Sequence, residues 1–207
     1  MKEEGSEMAV CSVQDKGTSE EKQSACLNCR QLIASDLRAW SKIWSSDNTA
    51  PERIGLWQGV RLMWEHCGLR ATVLYRLSHA LWKNRVPLLP GMVKRLNIVL
   101  YGFDIPQSVE IGPGLYMPHP VGTSIMAKRI GANVSLISSI TIGMRNVHAF
   151  PTIGNNVFIG AGARVLGDIV VGDNSNIGAN AVVLKDVPPG STAVGVPARI
   201  LPIKNTA

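Results

Sequence analysis

From Ile153 onward an aliphatic residue returns at every sixth position without a miss: Ile153, Ile159, Val165, Val171, Ile177 and Val183. Glycine follows four of them, as Gly154, Gly160, Gly172 and Gly178. The same period runs upstream in two shorter stretches, Ile105–Ile111–Met117 and Ile130–Leu136–Ile142, with Gly112, Gly131 and Gly143. A period of six matches neither the 3.6 of an α-helix nor the 2 of an alternating strand. It matches a short strand and a tight turn, three of which close one coil of a triangular prism. The aliphatic side chains then point inward and stack from coil to coil as one apolar column. The sequence therefore predicts a mainly β chain, a parallel β-helix of hexapeptide repeats over 102–200. Glycine after the aliphatic residue is expected to supply a corner φ that a Cβ forbids.

The period slips twice, between Met117 and Ile130 and again between Ile142 and Ile153. Extra residues in a solenoid leave the prism as loops, commonly on a functional face. The first slip carries His119 and the second carries His148.

The first half of the chain has another periodicity. Residues 1–28 are polar and acidic and read as a mobile tail. Over 29–101 the spacing is helical: Leu32, Ile33, Leu37, Trp40 and Ile43 share one face, an amphipathic region runs from Leu56 through Trp82, and a third spans Pro90–Tyr101. Val60 and Leu77 are counted among the apolar positions. Residues 201–207 form a C-terminal tail.

Composition narrows the function classes. The net charge is +6, and Arg61–Phe103 holds seven Lys or Arg against one carboxylate, Glu65. No recognition motif or aromatic platform accompanies that charge, so a nucleic-acid partner is not expected. A solvated helix face, a phosphorylated ligand and peripheral contact with an anionic membrane all fit it. No run of 18 apolar residues is present, and no apolar segment follows the N-terminus, so a cytoplasmic protein is expected. Of four cysteines, Cys26 and Cys29 form a lone C-x-x-C with no second ligand pair, so no metal site is expected.

The quoted motifs resemble the hexapeptide-repeat acyltransferases, and among them the serine O-acetyltransferase family. The resemblance rests on Asp104-Ile105-Pro106, Ile111-Gly112-Pro113-Gly114, His119, the block PTIGNNVFIGAGARVLG from Pro151, IGANAVVLKDVPPGS from Ile177 and AVGVPARI from Ala193. It covers about Asp104 to Leu201. It implies a left-handed β-helix, an exception to the usual right-handed crossover. It further implies a homotrimer with active sites between subunits and acetyl-CoA as donor. His119 matches the family's general base and Asp104 the carboxylate that orients it. Gly143, Ala161, Gly178 and Ala179 match the surface along the pantetheine arm, with Lys185 and Arg199 as partners for the CoA phosphates.

The chemistry needs those residue types. An acceptor hydroxyl attacks a carbonyl well only when a base takes its proton, and neutral imidazole suits that near pH 7. A carboxylate on the far ring nitrogen fixes the tautomer and stabilises the imidazolium that forms.

Departures from the family pattern bear on the acceptor. Pro118 stands where the family carries an aspartate, and Ala149 and Phe150 stand where it carries an Arg-His pair. Arg145 and His148 lie in the same loop, which resembles that of colanic-acid-type exopolysaccharide O-acetyltransferases. A sugar or other neutral alcohol is therefore the favoured acceptor, and serine, as in cysteine biosynthesis, is the alternative. A β-helix carbonic anhydrase needs a closely spaced histidine pair, which His66, His79, His119 and His148 do not make. A scaffold that docks a cysteine-synthesis enzyme through a C-terminal isoleucine is also disfavoured, because the chain ends Lys-Asn-Thr-Ala.

Overall fold

A computed structural model describes residues 27–44, 54–146 and 148–202. The tail expected over 1–28 lies almost wholly outside the described residues, as do most of 201–207. Among the described residues four helices come first: α1 (Cys29–Trp44), α2 (Leu56–Glu65), α3 (Cys67–Lys83) and α4 (Leu89–Tyr101). The amphipathic run expected from Leu56 to Trp82 is broken at His66, whose extended backbone (φ −117°, ψ 110°) ends α2 and precedes α3. Val60 and Leu77, read as apolar-face positions, are exposed.

Short strands then wind into a parallel β-helix with three faces. Face one stacks β1 (Phe103–Asp104), β3 (Thr123–Ile125), β6 (Thr141–Gly143), β9 (Arg164–Leu166) and β12 (Val182–Val183). Face two stacks β2 (Glu110–Ile111), β4 (Arg129–Ile130), β7 (Thr152–Ile153) and β10 (Val170–Val171). Face three stacks β5 (Ser135–Leu136), β8 (Phe158–Ile159), β11 (Asn176–Ile177) and β13 (Ser191–Val194), and β14 (Arg199–Pro202) turns back antiparallel on β13. The aliphatic residues of the repeat are the column the period demands. Ile142 stacks on Val165 and Val165 on Val183; Ile153 stacks on Val171; Ile159 stacks on Ile177, and all are buried. Each such burial stabilises the fold by about 1.5–3 kcal/mol.

Two local expectations change. Ile125, which the six-residue count passes over, is fully buried and stacks on Ile142. The first slip is therefore one long step, Met117 to Ile125, and one short step, Ile125 to Ile130. The glycines after the aliphatic residues do not carry the positive φ. That conformation falls on Asn133, Asn156 and Asn174 (φ 55°, 54° and 58°), whose side-chain amides hydrogen-bond from coil to coil at 3.2 Å. Gly131, Gly154 and Gly172 are needed for proximity. A Cβ on Gly131 would lie 2.5 Å from the Gly154 carbonyl oxygen of the next coil.

The helices are clamped to the first coil by a buried ion pair. Arg76 of α3 donates through Nε to Asp36 of α1 at 2.9 Å, and its other nitrogens donate to the Ile111 and Gly112 carbonyls at 2.6 and 2.7 Å. Asp36 also accepts the Leu115 N–H at 2.8 Å. Burial pushes the Asp36 carboxyl upward, opposed by the Arg76 charge and the backbone N–H groups. Tyr75 adds a 2.5 Å hydrogen bond to the Val109 carbonyl.

Candidate active site

His119 leaves the β-helix where face three turns into face one. Its backbone N–H donates to the Ile137 carbonyl at 3.3 Å, and it bridges Ser138 of the next coil in parallel. The same corner continues upward: Gly162 N–H donates to the Ser138 carbonyl, and Asn180 N–H to the Ala161 carbonyl, both at 2.8 Å. Four consecutive coils thus present His119, Ser138, Ala161 and the Ala179–Asn180 turn along one edge. At the spacing of parallel strands, that edge runs about 14 Å.

The turn that carries His119 is set by α3. Cys67 and Gly68 open that helix directly against Met117 and Pro118. A Cβ on Gly68 would sit 1.8 Å from the Met117 carbonyl oxygen, and the Cys67 thiol lies 4.0 Å from the Pro118 carbonyl. His119 is exposed on that support, and Pro118 is half-buried.

Asp104 stands in β1, at the start of the coil that His119 ends, with its backbone paired to Ser124. Its Oδ1 lies 3.0 Å from Lys94 Nζ of α4, an ion pair without hydrogen-bond geometry. Asp104 is in register with the middle of β3, whereas His119 lies in the turn before that strand, and the contact made by the Asp104 carboxylate is with Lys94.

The residues that the sequence reading matched to a donor surface divide between two edges. Ala161, Gly178 and Ala179 lie on the His119 edge, and the hairpin leading to Arg199 closes over it, with Gly195 O accepting from Val182 N–H at 3.0 Å and Ala198 N–H donating back to Val182 O at 2.8 Å. Gly143 ends β6, and Lys185 follows β12, so both stand at the opposite edge, where face one turns into face two. Gly143 is buried, yet a Cβ there would meet nothing within 4 Å.

The loop with Arg145, His148 and Phe150 also leaves that opposite edge. His148 and Phe150 stack edge to face at 4.9 Å, Phe150 is half-buried, and Arg145 and His148 are exposed. One chain does not bring this loop to His119, since β6 separates the two edges. An apolar groove of about 850 Å³ between α1, α2 and α3 holds none of these residues.

Ser138 is the site residue that the sequence reading missed. It lies in the run Ile137-Ser138-Ser139, with nothing local to set it apart from solvent-facing serines. The register slip at Ile125 was the available signal, because a corrected coil count places Ser138 beside His119. Its hydroxyl is 3.3 Å from that of Ser139.

Comparison with known proteins bears on this arrangement. The family model "Bacterial transferase hexapeptide (six repeats)" matches residues 150–185. The serine acetyltransferase of Helicobacter pylori (strain J99) is 41% identical over 138 residues, covering 65% of this chain and 81% of that protein. That of Synechococcus elongatus is 36% identical over 147 residues, 69% of this chain, and the match spans 60% of its length. Soybean serine acetyltransferase complexed with serine superposes with a TM-score of 0.73 at 30% identity, covering 87% of this chain and 72% of that one. A serine acetyltransferase in complex with CoA gives 0.71 at 31% identity, covering 88% and 73%.

Proposed function

Because this chain belongs to the serine acetyltransferase family, a family of acyltransferase enzymes, we propose that it transfers acetyl from acetyl-CoA to an acceptor hydroxyl with His119 as general base. The observation that carries this reading is the single edge on which His119, Ser138, Ala161 and Ala179 stack. His119 takes the hydroxyl proton as the acceptor oxygen attacks the thioester carbonyl. The C–O bond forms, the C–S bond breaks, and the imidazolium returns the proton to the departing thiolate. Asp104 is the positioning carboxylate, released from Lys94 to the imidazole when the site is filled. Backbone N–H groups or the Ser138 hydroxyl stabilise the oxyanion. The small residues at Ala161, Gly178 and Ala179 let the pantetheine arm lie close to the backbone, with Arg199 at the phosphate end of that edge.

His119 and the Arg145–Phe150 loop leave opposite edges of face one, so a complete site requires two copies. A homotrimer with sites between subunits meets that requirement.

For the acceptor, the relatives' names and the serine-bound soybean structure support L-serine at least as well as the sugar favoured by the sequence reading. One observation favours the second reading, a neutral hydroxyl compound. Pro118, Ala149 and Phe150 offer no charge to an ammonium or a carboxylate, and an unpaired buried charge costs several kcal/mol. A thiol-release assay with acetyl-CoA against L-serine, homoserine, amino sugars and oligosaccharides decides it. L-serine turnover with kcat/KM above about 10⁴ M⁻¹s⁻¹ establishes serine, in the ordinary enzyme range. Release with carbohydrates alone establishes the neutral acceptor. No release with any hydroxyl compound, from folded protein, overturns the acyl-transfer reading.

A further inference from the structure

We infer that the outer face of α4, with the turn before it, docks on an anionic lipid bilayer. This inference does not rest on the acyl-transfer reading. The inner face of α4 is settled: Pro90 and Asn97 are buried, with the Pro90 carbonyl accepting from Ser78 Oγ at 2.8 Å and Asn97 Nδ2 donating to the Ala71 carbonyl at 3.0 Å. The opposite face is apolar and bare. Leu88, Leu89, Met92, Leu96, Val99 and Leu100 recur at helical spacing and are all exposed, Leu88 at 85% and Val99 at 80%. That stripe is about 18 Å long, the reach of a short helix lying flat at an interface.

The turn adds a second feature. Leu88 and Arg85 both hold positive φ (62° and 55°) without being glycine, a conformation that costs a bulky residue free energy. The outcome is a leucine side chain held in solvent at the tip, beside an exposed arginine.

Charge identifies the occupant. From Cys67 to Phe103 the sequence contains no Asp or Glu. Arg76 is engaged by Asp36 and Lys94 by Asp104, whereas Lys83, Arg85 and Arg95 are exposed, and no carboxylate pairs with them among the described residues. A second copy seated on this face by two-fold symmetry would oppose these cations to their own images. An anionic headgroup layer supplies the missing countercharge, while the apolar stripe enters the acyl boundary. Among the described residues no helix is long and apolar enough to cross a membrane. The contact is therefore one of lying on the surface. Lys94 links this helix to Asp104, so docking would hold the candidate active-site edge near the bilayer.

The test is co-sedimentation of the full chain with phosphatidylglycerol–phosphatidylcholine vesicles and with pure phosphatidylcholine vesicles. Binding is expected to the first set and to weaken as salt rises. The pair Arg85→Gln/Arg95→Gln should weaken partition about 25-fold, about fivefold for each base. The pair Leu88→Ser/Val99→Ser should weaken it roughly tenfold or more, with helical circular dichroism retained in both. Absence of binding to the anionic vesicles overturns the proposal, as does wild-type partition by both folded variants. A fall in molecular mass of the Leu88→Ser/Val99→Ser variant by light scattering also overturns it, because the face then belongs to a second copy.

Discussion

Gly68 shows how one missing side chain positions a chemical group a long way off in sequence. It lets α3 press its first turn on the Met117 carbonyl, and that contact fixes the exit of Pro118 and His119. Gly68→Ala must push the Met117 carbonyl aside, since the new Cβ would begin 1.8 Å from it. A loss of about 1–3 kcal/mol is expected, typical of overpacking, together with reduced turnover. Gly91→Ala is the control: a Cβ there meets nothing within 4 Å, so melting should hold or rise. Equal melting temperatures and equal kcat for Gly68→Ala would remove Gly68 from the account. For His119 itself, replacement by alanine should lower kcat by about 10²–10⁴ with the assembly mass unchanged. His79 has a different role. Its Nδ1–H donates to the Gln107 carbonyl at 2.8 Å, which fixes the tautomer. Burial lowers its proton affinity below the ordinary value of 6.5, against the pull of that hydrogen bond. The unfolded chain then takes up a proton near 6.5 that the folded chain refuses. Stability is therefore full above that pH and falls below it. Urea unfolding at about pH 7.5 and 5.5 should show the loss, and His79→Gln should flatten it. A wild-type slope in that variant would assign the effect to another group.

At the level of elements, the Asp36–Arg76 pair joins two helices to the first coil, because Arg76 also holds the Ile111 and Gly112 carbonyls. Arg76→Met leaves a buried carboxylate facing apolar groups and should cost about 3–5 kcal/mol. Asp36→Asn with Arg76→Met should recover part of that, as an uncompensated charge is no longer buried; a double variant as unstable as the single one would mean that the carbonyl contacts dominate. Neither Asp36 nor Arg76 was legible in the sequence, for a charged residue in an amphipathic helix reads as solvent-facing until its partner is known. The β-helix was legible because its period is set by the polymer itself: each coil must return an aliphatic residue to the same column. What the period does not encode is which residue turns the corner and which lets the coils approach. Asparagine takes the positive φ, since its short amide both tolerates that conformation and bonds to the coil above. Glycine is kept where a Cβ would strike the backbone of the next coil. Ile125 escaped the count because neither step around it, eight residues from Met117 and five to Ile130, is six, and Ser138 escaped with it. The break at His66 was hidden because the apolar pattern continues across both helices.

For the molecule as a whole, the decisive geometry is the separation of His119 from Arg145, His148 and Phe150 by the width of face one. If the site forms between copies, each site takes its base from one chain and its loop from the next. Two inactive proteins should then restore activity when assembled together. One is His119→Ala; the other carries Arg145→Ala, His148→Ala and Phe150→Ala. In a trimer with cyclic symmetry each interface draws independently on two neighbours, so random assortment of an equal mixture yields wild-type halves at roughly a quarter of the interfaces. Co-refolding or co-expression with two affinity tags isolates the hybrids, each with one wild-type site in three, so thiol release should recover to about a third of wild-type turnover. Hybrids isolated with no recovery would mean that base and loop act within one chain, which the two edges of face one make unworkable without a rearrangement of the loop. An active triple variant would remove the loop from the site altogether, leaving the acceptor to be held along the His119 edge alone. Recovery by the hybrids, by contrast, ties the chemistry to assembly. A dilute chain would then lose turnover as its trimers dissociate, with kcat following the fraction assembled and with helical and strand content unchanged.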